Sequence, residues 1–109
     1  VKKGSPVEWK KRKSVYLAKL AKQSDRGALR VSCADKLHNA RAILADYEVD
    51  GDELWSRFTA KTKRQQLWYY DGLAKRFTGR AKVLKDLGLT RLARQLRGVV
   101  DAIDGHEPE

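Results

Sequence analysis

The sequence predicts an all-α fold, on three observations. β-Branched residues are scattered and never sustain a period-two alternation, the only two prolines, Pro6 and Pro108, lie near the ends, and apolar residues recur at three- and four-residue spacings. With 109 residues and 41% hydrophobic content, the chain has material for one modest core. There is no internal repeat and no low-complexity linker, so residues 1–109 read as a single helical domain.

A first helix is expected from about Pro6 to Gln23. Ser5 is its N-cap, Pro6 suits the first turn and Glu8 completes a capping box. Trp9, Tyr16, Leu17 and Leu20 form the inner side, and Lys10, Lys11, Arg12 and Lys13 make a basic run near the start. Asp25 caps a second helix from Ala28 to about Tyr47, in which Val31, Ala34, Leu37 and Leu44 recur at helical spacing. Gly51 marks a turn, with Asp50 or Asp52 capping a short helix that holds Leu54, Trp55 and Phe58. "TAKTKR" reads as a polar basic loop.

Leu67, Tyr70, Leu73, Ala74 and Phe77 then define a further helix. Gly72 weakens it by roughly 1 kcal/mol relative to alanine, which implies a packing reason for the glycine. Helix continues after Gly79 towards Gly88, and Thr90 caps a last helix through about Ile103. Its apolar stripe is Leu92, Leu96, Val99, Val100 and Ile103, with Arg91, Arg94 and Arg97 on other faces. The "DGHEPE" tail should fray.

Charge narrows the partners. Lys and Arg number 24 against 14 Asp and Glu, a formal charge of +10, which favours phosphates in nucleotides, nucleic acid or an anionic surface. No apolar run approaches the roughly 20 residues that span a bilayer, and no signal-peptide core follows Lys2 and Lys3. A single cysteine, Cys33, lies in the apolar pattern of a helix, which fits a buried thiol and a reducing cytoplasm. Val1 in place of a methionine suggests an internal start.

The second helix carries the chemistry. In "VSCADKLHNARAIL", residues 31–44, Asp35 and Asn39 stand four apart on a common face with His38 beside them, inside a helix that reads as well buried. A buried carboxylate needs a partner. It is either an ion pair to Lys36, Arg41 or a base of the first helix, or a ligand for a hard cation such as Mg²⁺ or Mn²⁺. His38 reads as a packed or hydrogen-bonding histidine before it reads as a ligand. Asn39 both donates and accepts, and suits either a sugar or phosphate or a tie between helices. Lys36, Arg41 and the loop cations Lys61, Lys63 and Arg64 could join the basic run in one positive field. Trp68, Tyr69 and Tyr70 in a row read as core before they read as a base-stacking platform. No Ser-His-acid or Cys-His arrangement, Gly-rich phosphate loop or paired-cysteine zinc motif is present.

"VSCADKLHNARAIL" resembles the helix motif of HD-domain metal-dependent phosphohydrolases, above all the guanosine tetraphosphate (alarmone) hydrolases. "WKKRKSVYLAKL" is similar to the family's preceding helix, and "YEVDGDELWSRF" with "LWYYDGLAKRF" to the family's segments on the C-terminal side of that motif. The likeness covers residues 6–77, with 78–104 a less specific helical extension and 105–109 a tail. It implies an HD-domain-like helical bundle, incomplete at its N-terminal side. In that family a histidine, a His-Asp pair and a later aspartate hold a divalent metal, commonly Mn²⁺ in the alarmone hydrolases.

The resemblance places the later aspartate, a metal ligand, at Asp35, and a substrate-binding role at Asn39, with Lys36 beside it. The substrate would be a nucleotide pyrophosphate such as guanosine tetraphosphate. The chain has only two histidines, His38 and His106, and no His-Asp dipeptide. The resemblance therefore implies either the C-terminal portion of a longer hydrolase or a decayed copy, inactive by itself. The alternatives are a non-catalytic basic helical module that binds nucleic acid or nucleotide, and a helical interaction domain whose exposed apolar surface takes a missing N-terminal half or a second copy.

Overall fold

A computed structural model of the chain describes residues 5–108. It consists of α1 (Pro6–Leu20), α2 (Arg26–Asp50), a 3₁₀ helix (Gly51–Arg57), α3 (Lys63–Leu84) and α4 (Leu87–Gly105), with no strand among the described residues. The fold is all-α.

Local chemistry sets most of the boundaries. The Ser5 hydroxyl accepts from the Glu8 N–H at 3.1 Å and the Asp25 carboxylate from the Ala28 N–H at 3.0 Å, so each supplies an acceptor for one of the otherwise unpaired first-turn donors. α1 stops at Leu20, sooner than its sequence pattern. There the backbone tightens into three-residue bonds, from Lys22 N–H to Lys19 and from Gln23 N–H to Leu20, and the Gln23 side chain then accepts from the N–H groups of Ser24 and Asp25. α2 ends at Gly51, whose positive φ of 64° is one that a glycine adopts without strain.

The α3–α4 corner differs from the sequence expectation. α3 runs unbroken through Gly79 to Leu84, and the chain turns at Lys85, a non-glycine residue at φ 52°. Asp86, not Thr90, caps the last helix, accepting from the Leu89 N–H at 2.8 Å. Gly88 lies in the first turn, where it does not terminate the helix, and the Thr90 hydroxyl donates back to the Asp86 carbonyl at 2.9 Å. The cap is as local as those of Ser5 and Asp25, and the Arg30 guanidinium of α2 holds the same carboxylate at 3.0 Å.

Contacts along the helices give their directions. Arg30 meets Asp86, Arg41 meets Gln95 and Tyr47 meets His106, so α2 and α4 run parallel. Arg97 meets Asp71 and Lys63 meets Asp104, so α3 returns antiparallel to α4. The core lies among these three helices, with Leu29, Cys33, Leu37, Tyr47, Leu73, Phe77, Leu89 and Leu96 almost fully enclosed. Burial pushes the Cys33 thiol up to about 12. α1 packs on α3. Trp9 packs edge-on against Trp68 and Tyr69, with ring centroids 6.0 Å apart in each case, and Leu17 presses on Gly72.

The tail expected to fray makes specific contacts instead. His106 packs against the Tyr47 ring at 4.8 Å, and its carbonyl accepts from the Lys63 ammonium at 3.0 Å. Pro108 lies against Gly51.

Candidate functional site

The buried stripe of α2 is Leu29, Cys33, Leu37, Ala40, Ile43 and Tyr47, which faces α4 and α3. This places the opposite side of the helix outward. Asp35, His38 and Asn39 are all exposed, and so are Val31 and Ala34, which the sequence pattern put in the core. The correction is one of phase. Both sides of α2 carry apolar residues, and only the position of α4 selects the side that is enclosed.

Of the ion pairs expected at Asp35 the one to Lys36 forms, but at the surface, where an exposed carboxylate has no desolvation cost to offset. Its side chain is 62% exposed and its nearest cation is the adjacent Lys36 at 3.5 Å, a surface pair of little energetic weight. His38 is neither packed nor hydrogen-bonded to another described residue. Arg41 turns to Gln95 on α4 at 3.0 Å.

The groups that do converge near Asp35 come from three helices. Lys36 of α2 is largely covered, with Nζ 5.3 Å from the ring of Tyr16 on α1. One turn earlier on α1, Lys13 is partly buried with Nζ 4.7 Å from the ring of Tyr69 on α3. Burial lowers the Lys13 pKa, and the charges of Lys36 and Arg12 lower it further. Burial is also the main cause that raises Tyr69 and pushes Tyr70 up to about 12, with the negative charge of Asp35 adding to both. Two ammonium groups and a carboxylate thus lie within electrostatic reach of one another over a floor of tyrosines.

Other parts of the expected positive field lie elsewhere. Lys63 belongs to the first turn of α3, with its ammonium donating to the carbonyls of Asp104 and His106 at the C-terminus of α4. Lys10 covers Trp68 at 5.0 Å. Consecutive residues of a helix point about 100° apart, so Trp68, Tyr69 and Tyr70 form no continuous stacking platform. Tyr69 and Tyr70 are core, and Trp68 is half-buried.

No protein family, curated protein or solved structure matches the chain. The chemistry of the site therefore rests on its own residues. Among the described residues no three His, Cys, Asp or Glu side chains come together. Asp35 offers one carboxylate. His106 packs on Tyr47, three turns and about 18 Å further along α2.

What the residues can do is hold an anion beside an exposed carboxylate. Sequence reasoning named Lys13 only as part of a basic run and Tyr16 only as core. Their three-residue spacing on one face of α1 was the available signal. Among the described residues, no helix is long and apolar enough to cross a membrane.

Proposed function

We propose that the chain is the part of an HD-type metal-dependent phosphohydrolase that carries Asp35, Lys36 and Asn39, and that the enzyme acts on a nucleotide pyrophosphate such as guanosine tetraphosphate. The observation that carries this reading is the exposure of Asp35 and Asn39 on one face of α2, next to the part-covered ammonium groups of Lys36 and Lys13. Neither Asp35 nor Asn39 hydrogen-bonds to another helix among the described residues. In this reading Asp35 is one ligand of a divalent ion, Mn²⁺ foremost, whose remaining ligands come from outside the described residues. Asn39 and Lys36 contact the substrate. The outward face of α2, where Val31 and Val49 are 72% and 84% exposed, meets a companion helical segment or a second copy. A cytoplasmic location suits the unpaired Cys33 thiol.

The test is Mn²⁺-dependent pyrophosphate release from guanosine tetraphosphate. The chain alone should release none. Fused to a segment that supplies a histidine and a His-Asp pair, it should hydrolyse the nucleotide, and Asp35→Ala should abolish the activity. Brisk release by the chain alone, or an undiminished rate in the fused Asp35→Ala variant, would overturn the assignment.

A further inference from the structure

We propose that Lys13, Tyr16 and Lys36, with the hydroxyl groups of Tyr69 and Tyr70, form a binding site for a pyrophosphate group where α1, α2 and α3 meet. The inference rests on the preceding reading for its substrate class. It assigns the anion-holding role to residues of α1 and α3.

The first ground is the way the two lysines are held. Each ammonium sits over an aromatic ring, Lys13 over Tyr69 at 4.7 Å and Lys36 over Tyr16 at 5.3 Å. A ring face positions a cation without cancelling its charge. Among the described residues the carboxylate paired with Lys36 is Asp35, at a long 3.5 Å and mostly in solvent, and none is paired with Lys13. Two neighbouring positive charges, part-covered and little neutralised, repel each other, and Arg12 adds to that repulsion. A dianion placed between them removes the repulsion and accepts charge-assisted hydrogen bonds from both.

The second ground is the supply of neutral donors. The rings of Tyr69 and Tyr70 are buried, yet neither hydroxyl pairs with another described residue, and no enclosed side-chain oxygen or nitrogen among those residues lacks a partner. Both hydroxyl oxygens therefore reach the surface. Tyr69 carries Lys13 over its ring and packs edge-on against Tyr70, with ring centroids 5.3 Å apart.

The third ground is room. Tyr16 is also a wall of a cavity of about 180 Å³ between the end of α1 and the start of α2, with Lys19 and Ser32 among its lining residues. Tyr16, whose ring carries Lys36, is the residue that the site shares with that cavity, where Lys19 adds a further cation.

The same chemistry is present in a free pyrophosphate and in the backbone of a nucleic acid, and the test separates them. The full chain is titrated with inorganic pyrophosphate by calorimetry, without metal and at physiological salt. Wild type should bind, Lys13→Gln and Lys36→Gln should each weaken binding by about tenfold, and Lys13→Arg should retain it. Lys82→Gln, which removes an exposed cation on α3 about 20 Å along the helix from Tyr69, should leave it unchanged. Asp35→Asn should bind pyrophosphate as well as wild type or better, because it removes a repelling charge. That outcome is independent of whether Asp35 holds a metal.

Absence of pyrophosphate binding by wild type would overturn the site. So would equal weakening by Lys13→Gln and Lys82→Gln, or an RNA oligonucleotide that binds more tightly than pyrophosphate and loses affinity alike in both variants. These last two results describe a diffuse basic surface.

Discussion

Gly72→Ala should destabilise the protein, although alanine is the better helix former. The glycine lies inside α3, where replacing it with alanine would ordinarily contribute about 1 kcal/mol. A Cβ at this position would lie 3.0 Å from Cδ1 and 3.4 Å from Cδ2 of Leu17, on the neighbouring α1. Leu17 is 3% exposed, so its methyl groups can withdraw only into the packed core. Overpacking of this kind costs about 1–3 kcal/mol. With a cost of about 2 kcal/mol against a gain of about 1, the net loss is about 1 kcal/mol.

Gly79→Ala is the internal control. It lies in the same helix, with nothing within 4 Å of its Cβ position, so the propensity gain of about 1 kcal/mol should appear in full. Urea unfolding should therefore move the two midpoints in opposite directions with unchanged m-values, a separation of about 2 kcal/mol. In a double-mutant cycle with Leu17→Ala, the methyl of Gly72→Ala should occupy part of the vacated space, giving a favourable coupling of about 1 kcal/mol. A Gly72→Ala variant as stabilised as Gly79→Ala would refute the close approach of α1 to α3.

Two further expectations concern single groups. The Arg30 guanidinium and then the Leu89 N–H hold the Asp86 carboxyl down at about 2, below the ordinary aspartate range near 4. Its contribution to stability is fully present above pH ~4 and is lost as the pH falls through about 2, so wild type should lose more stability than Asp86→Asn between pH 6 and pH 2.5. Equal acid sensitivity in the two proteins would sink that account. Cys33 is enclosed and its thiol is pushed up to about 12, so a thiol reagent at pH 8 should modify the chain only on unfolding in urea. Rapid stoichiometric labelling of the folded protein would show that the α2 core opens.

The residues that made the fold legible act over three or four positions. Ser5 and Asp25 cap the helices that the sequence assigns to them, because an N-cap needs only its own side chain and an N–H three residues on. The inner side of α1, with Trp9, Leu17 and Leu20 buried, is set by spacing alone. The anomaly at Gly72 was readable too, although its cause, Leu17, was not.

Errors arose where a residue's role depends on a distant partner. His106 is tied down by Tyr47 and Lys63, far from it in sequence, whereas Asp86 caps α4 through the Leu89 N–H three residues on, a signal as local as those of Ser5 and Asp25. The residues of the candidate site were visible as Asp35, Lys36 and Asn39 within one motif. The lysine and tyrosines that accompany them come from α1 and α3.

By itself the sequence determined that this protein is helical, where its first two helices begin, and that an acid, a cation and an amide stand within two turns of α2. Those properties are local, since capping and 3.6-residue periodicity are set by neighbours in the chain. Only the tertiary structure decided that Asp35 and Asn39 face outward and that Lys13 stands near Lys36. Which side of α2 is enclosed depends on where α4 packs, and no spacing within a helix encodes the position of another helix.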